Sequence, residues 1–121
     1  MTSIQRPGFE WTRCADITEM QAFFLSRLEP IRLAARKCGY AIGLHGSTRR
    51  DLDLIAAVWI DDPKSKDELA AAVHYAACGL SHAPYTWTIK PRGRVAVSMP
   101  ICWTDWGYDI PNLGHIDLSV M

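Results

Sequence analysis

Three aspartates, Asp51, Asp53 and Asp117, stand in segments that otherwise have the composition of buried β-strands. Because successive side chains of a strand point to opposite faces, Asp51 and Asp53 share a face at a spacing of about 6.5–7 Å. Carboxylates this close repel each other and need a compensating cation. With a third carboxylate on another strand, the pattern indicates Mg²⁺ (or Mn²⁺), which usually combines one or two carboxylates with substrate phosphates. The sequence therefore predicts a metal site made of these aspartates and used in phosphate chemistry.

The bulk composition is that of one globular domain. The chain has 121 residues, of which 49% are hydrophobic and 21% are charged, enough for a single core. Thirteen basic residues balance thirteen acidic ones, so no net field attracts nucleic acid or a membrane, and neither partner is indicated. Four cysteines without CxxC spacing indicate structural thiols in a reducing compartment. With no signal-peptide pattern and no apolar run of about 18 residues, we expect a cytoplasmic protein.

The first half of the chain predicts helix, hairpin and helix. Residues 1–15 are expected to form an irregular segment, and residues 16–121 the domain. A capping box at Asp16 and Glu19 opens a helix that ends before Gly39 and that Pro30 should kink or split. Its predicted buried stripe is Met20, Phe24, Leu28, Ile31, Ala35 and Cys38.

Two strands are predicted next, at 40–45 and 51–60. The residues between them are too few for a helix, so the strands should form an antiparallel hairpin. A second capping box, Ser65 with Glu68, opens a helix that ends at Gly79.

The second half predicts three β-segments, at 85–89, 94–101 and 115–120, with a Trp-rich loop at 102–114. The order α-β-β-α-β-β-β is typical of an α+β fold. We expect a single small domain with one mixed or antiparallel sheet backed by two helices.

These residues together resemble a known superfamily. An apolar residue followed by Gly46-Ser47, the strand Asp51-Leu52-Asp53-Leu54 and the later Asp117 are similar to the motifs of polymerase-β-like nucleotidyltransferases. The run from His45 and the ending Ile-Asp-Leu-Ser-Val-Met resemble more closely small, uncharacterised phage and prophage proteins described as nucleotidyltransferase-like. The similarity covers about residues 39–121.

The resemblance implies a role for each matching residue. Asp51 and Asp53 would bind a Mg²⁺ that bridges the phosphates of a nucleoside triphosphate, and Asp117 would complete a second metal position and help to activate an attacking hydroxyl. Four residues would contact the phosphates, Gly46 and Ser47 through the backbone and hydroxyl and Arg49 and Arg50 through their charge. The implied function is Mg²⁺-dependent nucleotide binding and nucleotidyl transfer to an acceptor that the sequence does not identify.

One departure from the family pattern leaves an alternative open. In active members the Gly-Ser pair opens a helix that helps to hold the phosphates, whereas here only three residues separate Ser47 from Asp51. The alternative is a catalytically degenerate binding or regulatory module, encoded by a phage or prophage. A third interpretation is a homo-oligomer whose sheet edges pair across subunits.

Other chemically suggestive residues have structural interpretations. His45 lies beside the Gly-Ser pair and is expected to pack or to form a hydrogen bond. The aromatic loop, with Trp103, Trp106 and Tyr108, either covers a sheet edge or stacks on a base. A cluster of basic residues at 90–94 is typical of a solvated hairpin tip.

Overall fold

Two helices, five strands and a short 3₁₀ turn make up the part of the chain that the computed structural model describes, residues 17–46, 48, 51–79, 84–102 and 111–121. The elements are α1 (Ile17–Lys37), β1 (Tyr40–His45), β2 (Asp51–Val58), α2 (Lys66–Cys78), β3 (Thr88–Ile89), the 3₁₀ turn (Pro91–Gly93), β4 (Val95–Cys102) and β5 (Pro111–Val120). Their order confirms the predicted α+β fold.

The strands form one mixed sheet in the order β1-β2-β5-β4-β3. β2 and β5 are parallel, and the other neighbouring pairs are antiparallel. The predicted hairpin of β1 and β2 is confirmed. Apolar and polar residues alternate along β2 and β5, so Leu52, Leu54, Ile116 and Leu118 are buried while the aspartates between them are not. The buried face shares its core with both helices, and the other face, the open face, carries the aspartates.

α1 packs on the sheet through residues at helical spacing. Phe24, Ile31 and Ala35 of the predicted stripe are fully buried, and Phe23 joins them. The helix ends at Cys38 and Gly39, where Gly39 has φ +94°, in the left-handed region that glycine favours. This two-residue turn places β1 directly beneath α1, with which it is in contact.

α2 begins at the predicted capping box. The Ser65 hydroxyl accepts from the backbone N–H of Glu68 at 3.1 Å, and the Glu68 carboxylate accepts from the backbone N–H of Ser65 at 3.1 Å. These bonds lower the pKa of Glu68. The helix ends at Gly79, whose φ of 77° again requires the left-handed conformation. Arg27 of α1 donates to the carbonyl of Ala76, so the two helices are joined near this end.

A buried histidine connects α2 to β4 at an irregularity of the ladder. Pro100 and Cys102 of β4 are two residues apart, but their partners His115 and Pro111 on β5 are four apart, so a bulge of β5 shifts the register here. His74, fully buried, donates from Nε2 to the carbonyl oxygen of Pro100 at 2.7 Å, and its Nδ1 lies 3.4 Å from the hydroxyl of Tyr85. A carbonyl at the bulge is therefore satisfied by a side chain of the helix packed above it.

Several boundaries differ from those predicted. α1 is not split at Pro30, because Phe24 before it and Ile31 after it bury in the same core. β2 ends at Val58 and not at residue 60, because Val58 is opposite Tyr40, the first residue of its partner β1. The predicted start of the first helix at Asp16, the segment 1–15 and most of the Trp-rich loop lie outside the described residues.

The last three strands also differ from the prediction. β3 is limited to two residues, β4 runs one residue later than predicted, and β5 begins at Pro111 within the predicted loop. β3 is short because the preceding aromatic residues contact α2 instead: the Trp87 indole donates to Asp67 at 2.6 Å. Within the described residues, neither helix combines the length and apolar character needed to cross a membrane.

Candidate functional site

Two of the predicted aspartates lie side by side on the open face. β2 and β5 pair in parallel register, so that Asp53 is directly opposite Asp117. His45 of β1 is opposite Asp53 on the other side, and Ser98 of β4 is opposite Asp117. These four residues form one polar row across the sheet, because paired residues project from the same face.

The row places Asp53 in an environment that favours its protonated form. Partial burial raises the pKa of Asp53 first of all, a hydrogen bond to the carboxylate of Asp117 raises it further, and the charges of Asp117 and Asp51 add to the effect. His45 opposes these contributions. The shared hydrogen bond requires a proton, which protonated Asp53 donates to Asp117. Asp53 therefore holds its proton more firmly than an isolated aspartate does.

Asp51 lies one step along the same face and faces a histidine. Its register partner on β5 is His115, and the His115 Nδ1 lies 3.9 Å from the Asp51 Oδ1. Both side chains are more than two-fifths exposed, so this ion pair is weak. The three aspartates and His115 thus share one end of the open face, at which β2 begins.

Gly46 follows β1 and lies against the row. Its φ is +79°, and a Cβ built on it would lie 2.7 Å from the Asp53 Oδ2. A side chain at this position would displace the carboxylate, and the positive φ is one that glycine adopts without strain. The resemblance implied that Gly46 lets the backbone approach a phosphate, and the structure places a carboxylate there.

Thr48, two residues after Gly46, is bonded to the first helix. It is buried, with φ +58°, a conformation that is costly for a β-branched residue. The Gln21 side-chain amide of α1 donates to the Thr48 hydroxyl at 3.0 Å. Thr48 is therefore attached to the first helix.

Three predicted phosphate ligands, Ser47, Arg49 and Arg50, lie outside the described residues. Among the residues that are described, no three His, Cys, Asp or Glu side chains are arranged to hold a metal ion together. The arrangement that the structure shows is a pair, Asp53 with Asp117, and Asp51 is turned toward His115. Two carboxylates with phosphate and water oxygens make an ordinary Mg²⁺ site, so the donor chemistry fits this cation.

Two histidines of this site are not among the predicted site residues. His45, for which packing or a hydrogen bond was expected, is exposed opposite Asp53 rather than packed in the core. His115 received no functional role, but it is paired with Asp51. The alternation of β5 does place His115 on the face of Asp117, two residues away, so this signal was present in the sequence.

Comparison with known proteins places no relative beside this chain: no protein-family model, no curated protein and no solved structure matches it. The class that the fold defines is an α+β domain with a five-stranded mixed sheet covered by two helices on one face. The function must therefore be argued from the open face itself.

The raised pKa of Asp53 predicts a change in stability with pH. The folded chain binds this proton more tightly than the unfolded chain, so the resulting stabilisation is complete below the ordinary pKa of 3.8 and is lost as the pH rises through the raised value. Asp53→Asn should therefore be more stable than the parent at pH 7, by up to about 1 kcal/mol at this partly exposed position. The difference should shrink as the pH falls toward 3.8.

Urea unfolding of both chains across this pH range measures the effect. Asp62→Asn is the matched control, because Asp62 is exposed in the turn after β2 and no described residue pairs with it. A gain for Asp53→Asn that does not depend on pH, or a loss of stability at pH 7, would contradict the assignment.

Proposed function

We propose that this domain binds a nucleoside triphosphate together with Mg²⁺ at the acidic end of its open face. The observation that carries the proposal is the contact between Asp53 and Asp117 on adjacent parallel strands, with Asp51 one step away. In the described part of the chain no lysine or arginine pairs with any of the three. A divalent cation would neutralise the paired carboxylates and would bind phosphate oxygens as well.

Each residue of the site has a defined part in binding. Asp53 and Asp117 would hold the cation, whose charge would offset the repulsion between the two carboxylates. Asp51 would turn from His115 toward a bound water or a second cation. The loop at Gly46 lies where the phosphates would approach, and its attachment through Thr48 keeps it beside the carboxylates. When bound, Mg²⁺ would supply neutralisation of the phosphate charge.

The reaction that such a site supports is nucleotidyl transfer. An acceptor hydroxyl oxygen forms a bond to the α-phosphorus, the bond from that phosphorus to the bridging oxygen breaks, and pyrophosphate leaves with the electron pair. The hydroxyl proton passes to a carboxylate of the site, for which we propose Asp117, the position that the family resemblance assigns to activation of the hydroxyl. The acceptor is a hydroxyl compound whose identity the site does not specify.

One observation favours a second candidate, a binding or regulatory module without transfer. β1 ends at His45 and β2 begins at Asp51, so the connection is too short to contain a helix whose N-terminus could hold phosphates. A chain of this kind would bind the nucleotide without catalysing its transfer.

For either function we place the domain in a reducing cytoplasm. The thiols support this placement, since Cys38 forms no disulfide and Cys78 donates to the carbonyl of His74.

Thermal unfolding with each of the four ribonucleoside triphosphates tests the proposal. At a hundred times its dissociation constant the right nucleotide should stabilise the domain by about 2.7 kcal/mol, or a shift of about 10 °C, with Mg²⁺ and not with chelator. Release of pyrophosphate from that nucleotide in the presence of hydroxyl acceptors would favour transfer over binding alone. The absence of a shift with every nucleotide would reject both candidates.

A further inference from the structure

β1 is an edge strand that lacks the usual protection of an edge. In the sheet order it has one neighbour, β2, among the described strands. Natural proteins guard such an edge with proline, lysine or a bulge. The six residues of β1, Tyr-Ala-Ile-Gly-Leu-His, include no proline and no lysine, and its register on β2 is continuous. A strand of this kind offers its outer backbone groups for pairing.

The register shows which backbone groups point outward. The backbone N–H of Trp59 donates to the carbonyl of Gly39 at 2.8 Å, so the inward-bonded residues of β1 are the odd-numbered ones that follow. Hydrogen-bonded and non-bonded pairs alternate in an antiparallel ladder. Ile42 and Leu44 therefore direct their N–H and C=O groups away from β2, and Gly43 directs its groups toward it.

A basic groove of about 370 Å³ runs along this edge. It is lined by Arg32, Arg36, Tyr40, Ala41, Ile42 and Trp59. Arg32 and Arg36 are exposed on α1, and neither forms an ion pair within the described residues. Trp59 is 71% exposed, which leaves a large apolar surface beside two uncompensated positive charges.

We propose that this groove and the β1 edge bind an extended acidic segment of a partner protein, which adds a sixth strand to the sheet. The backbone of the segment pairs with Ile42 and Leu44. Its carboxylates meet Arg32 and Arg36, and an apolar side chain packs on Trp59. The arginines favour an acidic segment over a second copy of β1, because β1 itself carries no carboxylate to pair with them.

The spacing of the arginines matches an extended peptide. Arg32 and Arg36 are four residues apart, about 6 Å along the helix axis. Alternate residues of a strand, which project to the same side, are about 6.5–7 Å apart. Since α1 packs along β1 after a turn of two residues, one face of the added strand presents acidic residues to the arginines at the required interval.

The test uses a fluorescein-labelled peptide of nine residues in which glutamate and valine alternate, followed by anisotropy and by amide exchange. We expect binding, weakened about tenfold in Arg32→Gln/Arg36→Gln, a loss in the range of two exposed ion pairs. Lys90→Gln/Arg94→Gln removes the same charge beside β3, at the opposite edge of the sheet, and should bind the peptide like the parent. The same peptide with N-methyl groups on alternate amides should not bind.

Amide exchange locates the added strand. On peptide binding the amide hydrogen exchange of Ile42 and Leu44 should slow at least tenfold, and the exchange rate of Gly43 should not change. Four results would overturn the proposal: no binding, equal weakening in both double variants, protection of Ile42 and Leu44 in the free chain, or protection that appears only as the chain concentration rises. The last result would identify a second copy as the occupant.

Discussion

Replacing His74 with leucine should lower the free energy of unfolding by about 2–4 kcal/mol, a large share of the stability of a domain this size. The change removes the donor that the Pro100 carbonyl uses beside the bulge of β5, where the fully buried His74 connects α2 to the sheet. It also removes the group that the Tyr85 hydroxyl faces. Leucine keeps an apolar volume at the position, so the loss reports chiefly the buried polar contact.

Urea unfolding monitored by tryptophan fluorescence and by circular dichroism measures this loss. His45→Leu is the matched control, since His45 is exposed on the open face, and it should change the stability by no more than about 0.5 kcal/mol. If His74→Leu costs less than about 1 kcal/mol, the contact with Pro100 does not hold α2 on the sheet as described.

Replacing Asp53 and Asp117 together with asparagine should abolish the stabilisation of about 2.7 kcal/mol expected from saturating Mg²⁺ and nucleotide. Asparagine preserves the shape of both side chains but removes the two negative charges that would hold the cation. The unliganded variant should be at least as stable as the parent, because the repulsion between the paired carboxylates is also removed. A more stable protein that no longer responds to ligand distinguishes a lost site from a damaged fold.

Asp61→Asn/Asp62→Asn removes the same charge from the exposed turn after β2 and should retain the full shift. If the paired variant at Asp53 and Asp117 responds to Mg²⁺ and nucleotide like the parent, the proposed site is wrong. If both variants lose the response equally, the effect comes from net charge alone.

Much of the fold could be predicted from the sequence, because local residues determine where several helices and strands begin and end. β1 was predicted at its observed limits, since the left-handed glycines Gly39 and Gly46 bracket it. α2 was predicted from its capping box and from Gly79. Pro30 does not split α1, which a local rule could not predict because it cannot weigh one lost hydrogen bond against the burial of Phe24 and Ile31 on either side. The strand order, with β5 inserted beside β2, depends on tertiary packing that no local pattern encodes.

The candidate site was predictable in part. The period of two placed Asp51 and Asp53 on one face, but the contact between Asp53 and Asp117 depends on the parallel register of strands far apart in sequence. The pairing of Asp51 with His115 depends on the same register. The role of Thr48 could not be predicted from the sequence, because its strained backbone and its hydrogen bond to Gln21 arise only in the folded structure.

Nuclear magnetic resonance with Mn²⁺ in place of Mg²⁺, in the presence of the nucleotide that stabilises the domain, tests most directly whether Asp53 and Asp117 hold the cation. Paramagnetic broadening falls steeply with distance from the ion, so it locates the cation in the intact chain. We expect the resonances of the Asp53 and Asp117 backbone amides to broaden first, at Mn²⁺ well below one equivalent, and Asp53→Asn/Asp117→Asn to remove this effect. Broadening centred on the exposed Asp61 and Asp62, or spread evenly over the acidic surface, would contradict it.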